Sequence, residues 1–197
     1  MTGVAAPAPA PVPDLEEGGR FILVVGPSGA GKDSLIRAAR DALRHDPRYV
    51  FPRRLITRAA SEAEDSVEVG AAEFAALRAS GGLAVAWHAH GLEYGLPAAI
   101  GHCLAAGRTV VCNVSRTVVG DLRARYPGVV VVEVTAPPEV LEARLAGRSR
   151  EAGEAVAARL RRTEEIEAAP PDVTIDNAGS LDGSVRAFLA VLGGAGS

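Results

Sequence analysis

A short apolar run followed by a glycine-rich loop and one lysine most constrains what this chain can fold into. The run is Phe21-Ile22-Leu23-Val24-Val25, and the loop reads Gly26-Pro27-Ser28-Gly29-Ala30-Gly31-Lys32-Asp33-Ser34. This order is typical of a β-strand leading through a tight loop into a helix N-terminus, where backbone amides and the helix dipole bind phosphate. Lys32 is the only lysine among 21 Lys and Arg residues. The alternative, a glycine-rich turn before a surface lysine, gives no reason for that placement, so the sequence predicts a nucleoside triphosphate site at residues 26–34.

Asp33 stands directly after the lysine, where the usual phosphate-loop pattern has Ser or Thr. Two unit charges 4 Å apart at an effective dielectric constant of 20 interact by about 4 kcal/mol. A carboxylate so close to phosphates therefore calls for a cation between them. One interpretation is that Asp33 binds Mg²⁺, directly or through water. The other is that Asp33 only favours the positive end of the helix, and both stay open.

Bulk composition excludes several classes of protein. The 197 residues, 48% apolar and 23% charged, suit one domain, and the 4% aromatic content predicts a core of Val, Leu, Ala and Ile. A net charge of −3 argues against a general nucleic-acid binder. No apolar run approaches the roughly 20 residues of a membrane helix, and the N-terminus lacks a secretory layout. We therefore expect a cytoplasmic protein with neither nucleic-acid nor membrane partners.

The order of apolar segments predicts an α/β fold. Residues 1–19, rich in Ala and Pro, are expected to form a disordered leader before a domain that spans 20–197. The nearly unbroken apolar runs 109–114 and 129–134 are typical of parallel strands that are buried on both faces. Residues 49–51 and 55–58 are predicted to form one short extended piece, and further strands are predicted at 83–87 and 172–176. Helices are predicted at 35–45, 71–79, 97–106, 117–125, 137–147 and 180–192. Residues 59–70 and 88–95 are predicted to be polar loops. This alternation favours a central parallel sheet flanked by helices, with the phosphate loop after its first strand.

Polar side chains at the carboxyl ends of parallel strands are candidates for ligand binding. Arg58 follows the second predicted strand, Tyr94 ends the loop after the third, and Asn113, Ser115 and Arg116 follow the fourth. For Asn113 and Ser115, the alternative is that they only cap the next helix.

An arginine-rich segment follows the fifth strand. Its break near Gly147 and Ser149 suggests a lid over about 147–158 that brings Arg148 and Arg159 over bound phosphates. The alternative is a solvated helix face that is balanced by nearby glutamates.

The motifs together resemble the guanylate kinase-like P-loop kinases. The matching elements are the phosphate loop, Thr57-Arg58, His90-Gly91-x-x-Tyr94-Gly95, Arg144-Leu145-x-x-Arg148 and Val156-x-x-Arg159-Leu160. The resemblance covers about residues 20–192 and implies a P-loop kinase fold with small acceptor-binding and lid subdomains. It departs where that family reads guanine, because Val85, Asn113 and Ser115 replace the acidic residues, and Ser61 replaces the second arginine of the phosphate clamp.

The departures themselves resemble the ribose 1,5-bisphosphate phosphokinases of phosphonate utilisation. The shared segments are Gly31-Lys32-Asp33-Ser34-Leu35, Ile56-Thr57-Arg58, 87–95 and Asn113-x-Ser115-Arg116. This resemblance implies ATP-dependent phosphorylation of α-D-ribose 1,5-bisphosphate, a small phosphosugar, to 5-phospho-α-D-ribose 1-diphosphate (PRPP) and ADP. It also accounts for the loss of guanine-reading acids, because the acceptor has no base.

Roles follow from this resemblance residue by residue. Lys32 and the loop amides are expected to hold the ATP phosphates, and Arg148 and Arg159 to cover the transferring phosphoryl group. Arg58, Tyr94 and Arg116 are expected to hold the sugar phosphates, and Asn113 and Ser115 the ribose hydroxyls. No general base is needed, because an acceptor phosphate with a second pKa near ~6 is largely ionised at neutral pH.

Two other functions stay open at this point. A nucleoside monophosphate kinase is one, although Val85 and Ser115 speak against guanylate as the acceptor. A guanylate kinase-like binding module without turnover is the other, although the intact glycine loop and Lys32 speak against it. Release of ADP with each candidate acceptor would separate the three.

Overall fold

The computed structural model describes residues 18–57, 66–89, 91–146 and 170–193. Within these ranges the strands are β1 (Phe21–Val25), β2 (Tyr49–Val50), β3 (Arg54–Ile56), β4 (Ser66–Glu68), β5 (Leu83–Ala89), β6 (Leu92–Pro97), β7 (Thr109–Asn113), β8 (Val129–Thr135) and β9 (Val173–Asp176). The helices are α1 (Lys32–Ala42), α2 (Ala71–Ala79), α3 (Ile100–Ala105), α4 (Val119–Arg125), α5 (Pro138–Ala146) and α6 (Leu181–Leu192). A short 3₁₀ turn, Arg116–Val118, precedes α4.

Five strands form a parallel sheet, here called the large sheet, in the order β2-β7-β1-β8-β9. The first strand lies at its centre, so the phosphate loop leaves the middle of the carboxyl edge. Val24 pairs with Asn113 of β7 on one side, and Val25 pairs with Glu133 of β8 on the other. The predicted central parallel sheet is confirmed, and its register brings the residues after β7 and β8 beside the loop.

The two faces of the large sheet are covered by different helices. Alternate residues of β1 point to opposite faces, as strand geometry requires. Phe21 and Leu23 pack in a cluster with residues of α3 and α4, whereas Ile22 and Val24 pack in another with residues of α1, α5 and α6. All four side chains are fully buried. This double burial explains the unbroken apolar runs and fixes the loop on a rigid strand.

Four strands form a second sheet, here called the small sheet, in the order β4-β3-β6-β5. The prediction of a loop at 59–70 is wrong for Ser66–Glu68, which form β4 parallel to β3. The prediction of a loop at 88–95 is also wrong, because β5 runs on to Ala89 and returns as β6 in an antiparallel hairpin. Trp87 and Tyr94 face each other in that hairpin with rings stacked 5.6 Å apart. This pairing stabilises a hairpin in the stretch whose polar residues and glycines favoured a loop.

Several smaller boundaries also differ from the prediction. Pro97 ends β6 instead of beginning a helix, and α3 starts at Ile100. The helices predicted at 71–79 and 180–192 are confirmed, the second with Ser180 as its N-cap. Gly19 is already buried and donates its backbone N–H to Leu104. The proposed lid at 147–158 lies outside the described residues, and the domain boundaries stay predictions.

No helix in the described parts of the chain is both long and apolar enough to cross a bilayer.

Candidate functional site

The phosphate loop depends on glycine at two positions. Gly26 has a φ of 139° and Gly31 a φ of 88°, in the region that L side chains rarely adopt. A Cβ on Gly26 would collide with the carbonyl oxygen of Val134, and one on Gly31 would collide with the amide of Asn177. The loop therefore lies tightly against the carboxyl end of β8 and against Asn177, the residue that follows β9.

Lys32 folds back over the loop that precedes it. Its Nζ donates to the carbonyl oxygens of Gly26 and Pro27, each at 2.8 Å. The helix α1 begins at Lys32 after Gly31, whose position provides no side-chain cap for the first turn. Amides at the start of an α-helix have no intrahelical partner, so they can bind an anion together with the helix dipole. Loop, lysine and helix end thus form one compact anion site.

Asn177 is a functional candidate that sequence reasoning missed. It follows β9, is only 3% exposed, and its Nδ2 donates to the carbonyl oxygen of Ala30 at 2.7 Å. Arg144 of α5 donates in turn to the backbone oxygen of Asn177 at 2.8 Å. These bonds hold the middle of the phosphate loop from behind. The rule that polar residues after parallel strands face the site would have identified Asn177.

Asp33 and Asn113, both predicted site residues, are in direct contact. The Nδ2 of Asn113 donates to Oδ1 of Asp33 at 2.6 Å, across 80 positions of sequence. Arg54 of β3 forms an ion pair with the same oxygen at 3.6 Å. Asn113 is 6% exposed, and its Oδ1 is buried without a hydrogen-bond partner in the described structure. A buried amide oxygen in this condition is costly unless a ligand donates to it.

A cleft lies beside this contact, between α1 and the segment that joins β2 to β3. Its lining consists of Asp33, Ile36, Arg37, Arg40, Phe51, Pro52, Arg54, Val111, Cys112 and Asn113. Burial raises the pKa of the Cys112 thiol to about 12, against a smaller opposite effect of Arg54. Cys112 therefore stays protonated at neutral pH and acts as an apolar wall. The polar chemistry of the cleft comes from its arginines and from Asp33 and Asn113.

Arg116 and Ser115 lie just beyond β7. Arg116 donates to Oε1 of Glu133 at 2.6 Å, and the two side chains are 16% and 26% exposed. This pair lies near the carboxyl end of β1, since Glu133 is registered with Val25. Ser115 accepts the N–H of Thr117 at 3.3 Å and caps the 3₁₀ turn. The cap alternative thus describes Ser115, but not Asn113, and substrate contacts of both residues stay predictions.

Tyr94 lies on the small sheet, not on a loop of the large one. It is 8% exposed and stacks on Trp87, and the Arg54 guanidinium lies 5.8 Å from the centre of its ring. Arg54 thus contacts Tyr94 on one sheet and Asp33 on α1. Thr57, next to Arg58, is bonded on both backbone and side chain to Glu93 of β6.

Arg58, Arg148 and Arg159 lie outside the described residues, and their roles stay predictions. Among the described residues, no group of three or more His, Cys, Asp or Glu side chains is arranged to hold a metal ion.

Two curated bacterial kinases are similar to this chain over most of its length. The ribose 1,5-bisphosphate phosphokinase PhnN of Methylobacterium radiotolerans is 51% identical over 174 residues, which cover 88% of this chain and 97% of that protein. The enzyme of the same name from Rhodopseudomonas palustris is 49% identical over 174 residues, with 88% of each chain covered. No family model matches the chain.

A solved structure supports the fold. The guanylate kinase of Anaplasma phagocytophilum superimposes with a TM-score of 0.63, covering 90% of this chain and 86% of that one. The two sequences are 17% identical. This likeness shows the architecture of the P-loop kinases and nothing about the acceptor.

Proposed function

Since this chain belongs to the family of ribose 1,5-bisphosphate phosphokinases, we propose that it transfers the γ-phosphoryl group of ATP to the 1-phosphate of α-D-ribose 1,5-bisphosphate. The products are 5-phospho-α-D-ribose 1-diphosphate and ADP. The protein is a phosphotransferase that acts on a small phosphosugar, and it serves phosphonate metabolism as its relatives' name implies. The observation that carries this function is about 50% identity to enzymes of that name over 88% of the chain.

The geometry supports an ATP-dependent reaction that needs no catalytic base. An oxygen of the acceptor 1-phosphate attacks the γ-phosphorus, a new P–O bond forms, and the bond to the β–γ bridging oxygen breaks as ADP leaves. The attacking oxygen is already ionised at neutral pH, because a phosphate monoester has a second pKa of about 6. Catalysis is then a matter of placing two polyanions in line and neutralising their charge.

Lys32 is proposed to provide the central positive charge. Its Nζ is held by two loop carbonyls, which are neutral acceptors and weaker partners than a phosphate. Binding of ATP would exchange these bonds for charge-assisted bonds to the β- and γ-phosphates while the loop amides hold the remaining oxygens. Asn177 behind Ala30 would keep those amides in place during the exchange.

The residues at the loop fit a magnesium ion that is held mainly by phosphates and water. Mg²⁺ in kinases keeps several waters and binds one or two protein oxygens, so a single acidic residue suffices. The Asn113 bond and the Arg54 ion pair both fall on Oδ1 of Asp33, which leaves Oδ2 for a hydrated ion. When bound, Mg²⁺ neutralises charge on the β- and γ-phosphates. Asp33, with Ser34 next to it, is proposed to hold that ion.

The remaining roles are proposed for residues around the same edge. Arg116, held beside β1 by Glu133, would contact acceptor phosphate together with Arg58 and Tyr94. Asn113 would accept a bond from a ribose hydroxyl through its unpartnered Oδ1, with Ser115 nearby. Arg148 and Arg159 would cover the transferring group from the proposed lid.

An acceptor panel tests the function directly. Release of ADP is measured with magnesium-ATP and, in turn, ribose 1,5-bisphosphate, GMP, AMP and CMP, and the sugar product is identified by phosphorus NMR. Turnover of the bisphosphate alone is expected. Turnover of GMP but not of the bisphosphate would instead establish a nucleoside monophosphate kinase. A folded protein that turns over none of the acceptors would favour a binding module.

A further inference from the structure

Outside the phosphate loop, the cleft beside α1 is the feature that best fits a ligand, because three arginines line it. Arg37 and Arg40 come from α1 and Arg54 from β3, and we call the cleft they line, together with Asp33 and Asn113, the arginine cleft. The described part of its lining contains three guanidinium groups and the carboxylate of Asp33. A concave surface with this charge is suited to a dianion.

Helix geometry orders these side chains along one line. Asp33, Arg37 and Arg40 are spaced by four and three residues, so they lie on the same face of α1. At 1.5 Å of rise per residue, the line from Asp33 to Arg40 is about 10 Å long. Its first member directly follows Lys32, and the last lies two turns away. A ligand in the cleft can therefore have one end at the phosphate loop and the other near Arg40.

Arg54 is held in place from two sides. Its guanidinium lies 3.6 Å from Oδ1 of Asp33 and 5.8 Å from the centre of the Tyr94 ring, and its side chain is only 14% exposed. Such a restrained arginine loses little side-chain freedom on binding, and its planar donors match two phosphate oxygens at once. Ile36, Phe51 and Pro52 add apolar walls to the cleft.

Asn113 gives a second, independent indication of a ligand. It lines the same cleft, is 6% exposed, and has a buried Oδ1 without a hydrogen-bond partner among the described residues. That oxygen accepts bonds and cannot bind phosphate, so it requires a donor such as a sugar hydroxyl. The cleft therefore offers cationic groups for a phosphate and a neutral acceptor for a hydroxyl, which is the chemistry of a phosphosugar.

We propose that the arginine cleft binds the phosphate of the acceptor that does not react, the 5-phosphate, through Arg37, Arg40 and Arg54. This inference rests on the proposed function, and it adds a subsite that selects the bisphosphate. The 1-phosphate must lie near Lys32 to react, so the 5-phosphate lies further along α1. Asn113 holds a ribose hydroxyl between the two, and the arginines discriminate against a sugar that lacks the second phosphate.

Ribose 5-phosphate is the probe, because it carries the distal phosphate and cannot accept a group at position 1 in this reaction. Its dissociation constant is measured by calorimetry for the wild type and for Arg37→Gln, Arg40→Gln, Arg54→Gln and Arg54→Lys. The KM values for ribose 1,5-bisphosphate and for ATP are measured for the same proteins. We expect each Gln variant to bind both sugar phosphates roughly 10- to 100-fold more weakly, because the substitution removes a bond to a charged group. The KM for ATP is expected to stay within about twofold.

Arg48→Gln is the matched control. Arg48 is exposed, pairs with Asp46 and does not line the cleft, so its variant should behave as the wild type. Thermal denaturation and the unchanged KM for ATP show that each variant is folded, and Arg54→Lys, which keeps the charge, should lose less affinity than Arg54→Gln.

The outcomes separate this proposal from the function on which it rests. Wild-type turnover of the bisphosphate with ribose 5-phosphate affinity unchanged in Arg37→Gln and Arg40→Gln overturns the subsite alone. So does turnover without measurable ribose 5-phosphate binding. Arginine-dependent binding of ribose 5-phosphate without any turnover of the bisphosphate supports the subsite and overturns the reaction.

Discussion

The large and the small sheet differ in what holds their strands in place. In the large sheet, β1 is buried on both faces, and Phe21, Ile22, Leu23 and Val24 are fully inaccessible to solvent. In the small sheet, β3 and β5 have partly exposed residues, although Ile56, Trp87 and Tyr94 are buried in the cluster that also contains Phe21 and Leu23. The phosphate loop leaves the first sheet, and the second contributes Arg54 and Tyr94. The phosphate loop thus leaves a sheet that is buried on both faces, whereas Arg54 and Tyr94, which are proposed to contact the acceptor, lie on a sheet with partly exposed strands.

The largest expected effect comes from removing the charge at the loop. Lys32→Met should lower kcat by about 10³-fold, because a preorganised charge aimed at developing charge is worth 10²–10³. Its Nζ bonds lie on the loop carbonyls, so the fold should persist. Steady-state kinetics and a thermal melt measure both, with the exposed Arg44→Met as the control. A kcat within tenfold of the wild type would contradict the assignment.

The stability of the two sheets can be compared with one type of truncation. Leu23→Ala, in β1, should lower the free energy of unfolding by about 2–5 kcal/mol, the usual cost of a fully buried leucine. Leu55→Ala, in β3, should cost about 1 kcal/mol, because that side chain is only partly buried. Urea denaturation gives both values. Equal losses would show that the two side chains contribute equally to stability and would contradict the difference between the sheets.

The sequence patterns predicted the strands of the large sheet, because burial on both faces determines the residue types of these strands. The strands Thr109–Asn113 and Val129–Thr135 were identifiable because a parallel strand that is buried on both faces must be continuously apolar. The hairpin of β5 and β6 was missed because His88, Gly91 and Glu93 make its central stretch polar and glycine-bearing, which favours a loop. The stacking of Trp87 on Tyr94 depends on a pairing that no local pattern encodes.

The site shows the same division. The loop from Gly26 to Lys32 is a contiguous motif, so its position between β1 and α1 could be predicted from the sequence. The contact of Asp33 with Asn113 joins residues 80 positions apart, and its partner Arg54 carried no motif at all. Such contacts form only in the tertiary fold. A single sequence therefore shows the residue types, but it does not show which distant residues come into contact.

The next prediction tests whether Asp33 binds magnesium. Asp33 contacts Asn113 of the large sheet and Arg54 of the small sheet. Asp33→Ser should raise the magnesium concentration for half-maximal activity roughly tenfold or more, the range in which altered metal environments change affinity. Activity is titrated with magnesium at fixed ATP. Asp41→Ser, an acidic residue further along the same helix, is the control. An unchanged requirement and rate would leave Asp33 with only its contacts to Asn113 and Arg54.

The smallest expected effect comes from removing the hydroxyl of Tyr94 in the small sheet while keeping its aromatic ring. Tyr94→Phe keeps the stack on Trp87 and the ring beside Arg54, so stability should change by less than about 1 kcal/mol. If the hydroxyl holds acceptor phosphate, the KM for ribose 1,5-bisphosphate should rise about tenfold, since a hydrogen bond to a charged group contributes at least about 1.5 kcal/mol.

Tyr49→Phe is the counterpart on the large sheet. Its hydroxyl donates to the backbone oxygen of Leu192 at 3.0 Å, so its loss should reduce the free energy of unfolding by about 1 kcal/mol and leave the KM for the acceptor unchanged. The two variants remove the same atom from two layers, one that stabilises the fold and one that is proposed to bind the substrate. If Tyr94→Phe lowers stability as Tyr49→Phe does and leaves the acceptor KM alone, the hydroxyl of Tyr94 has a structural role, and Arg54 becomes the link from the small sheet to the acceptor.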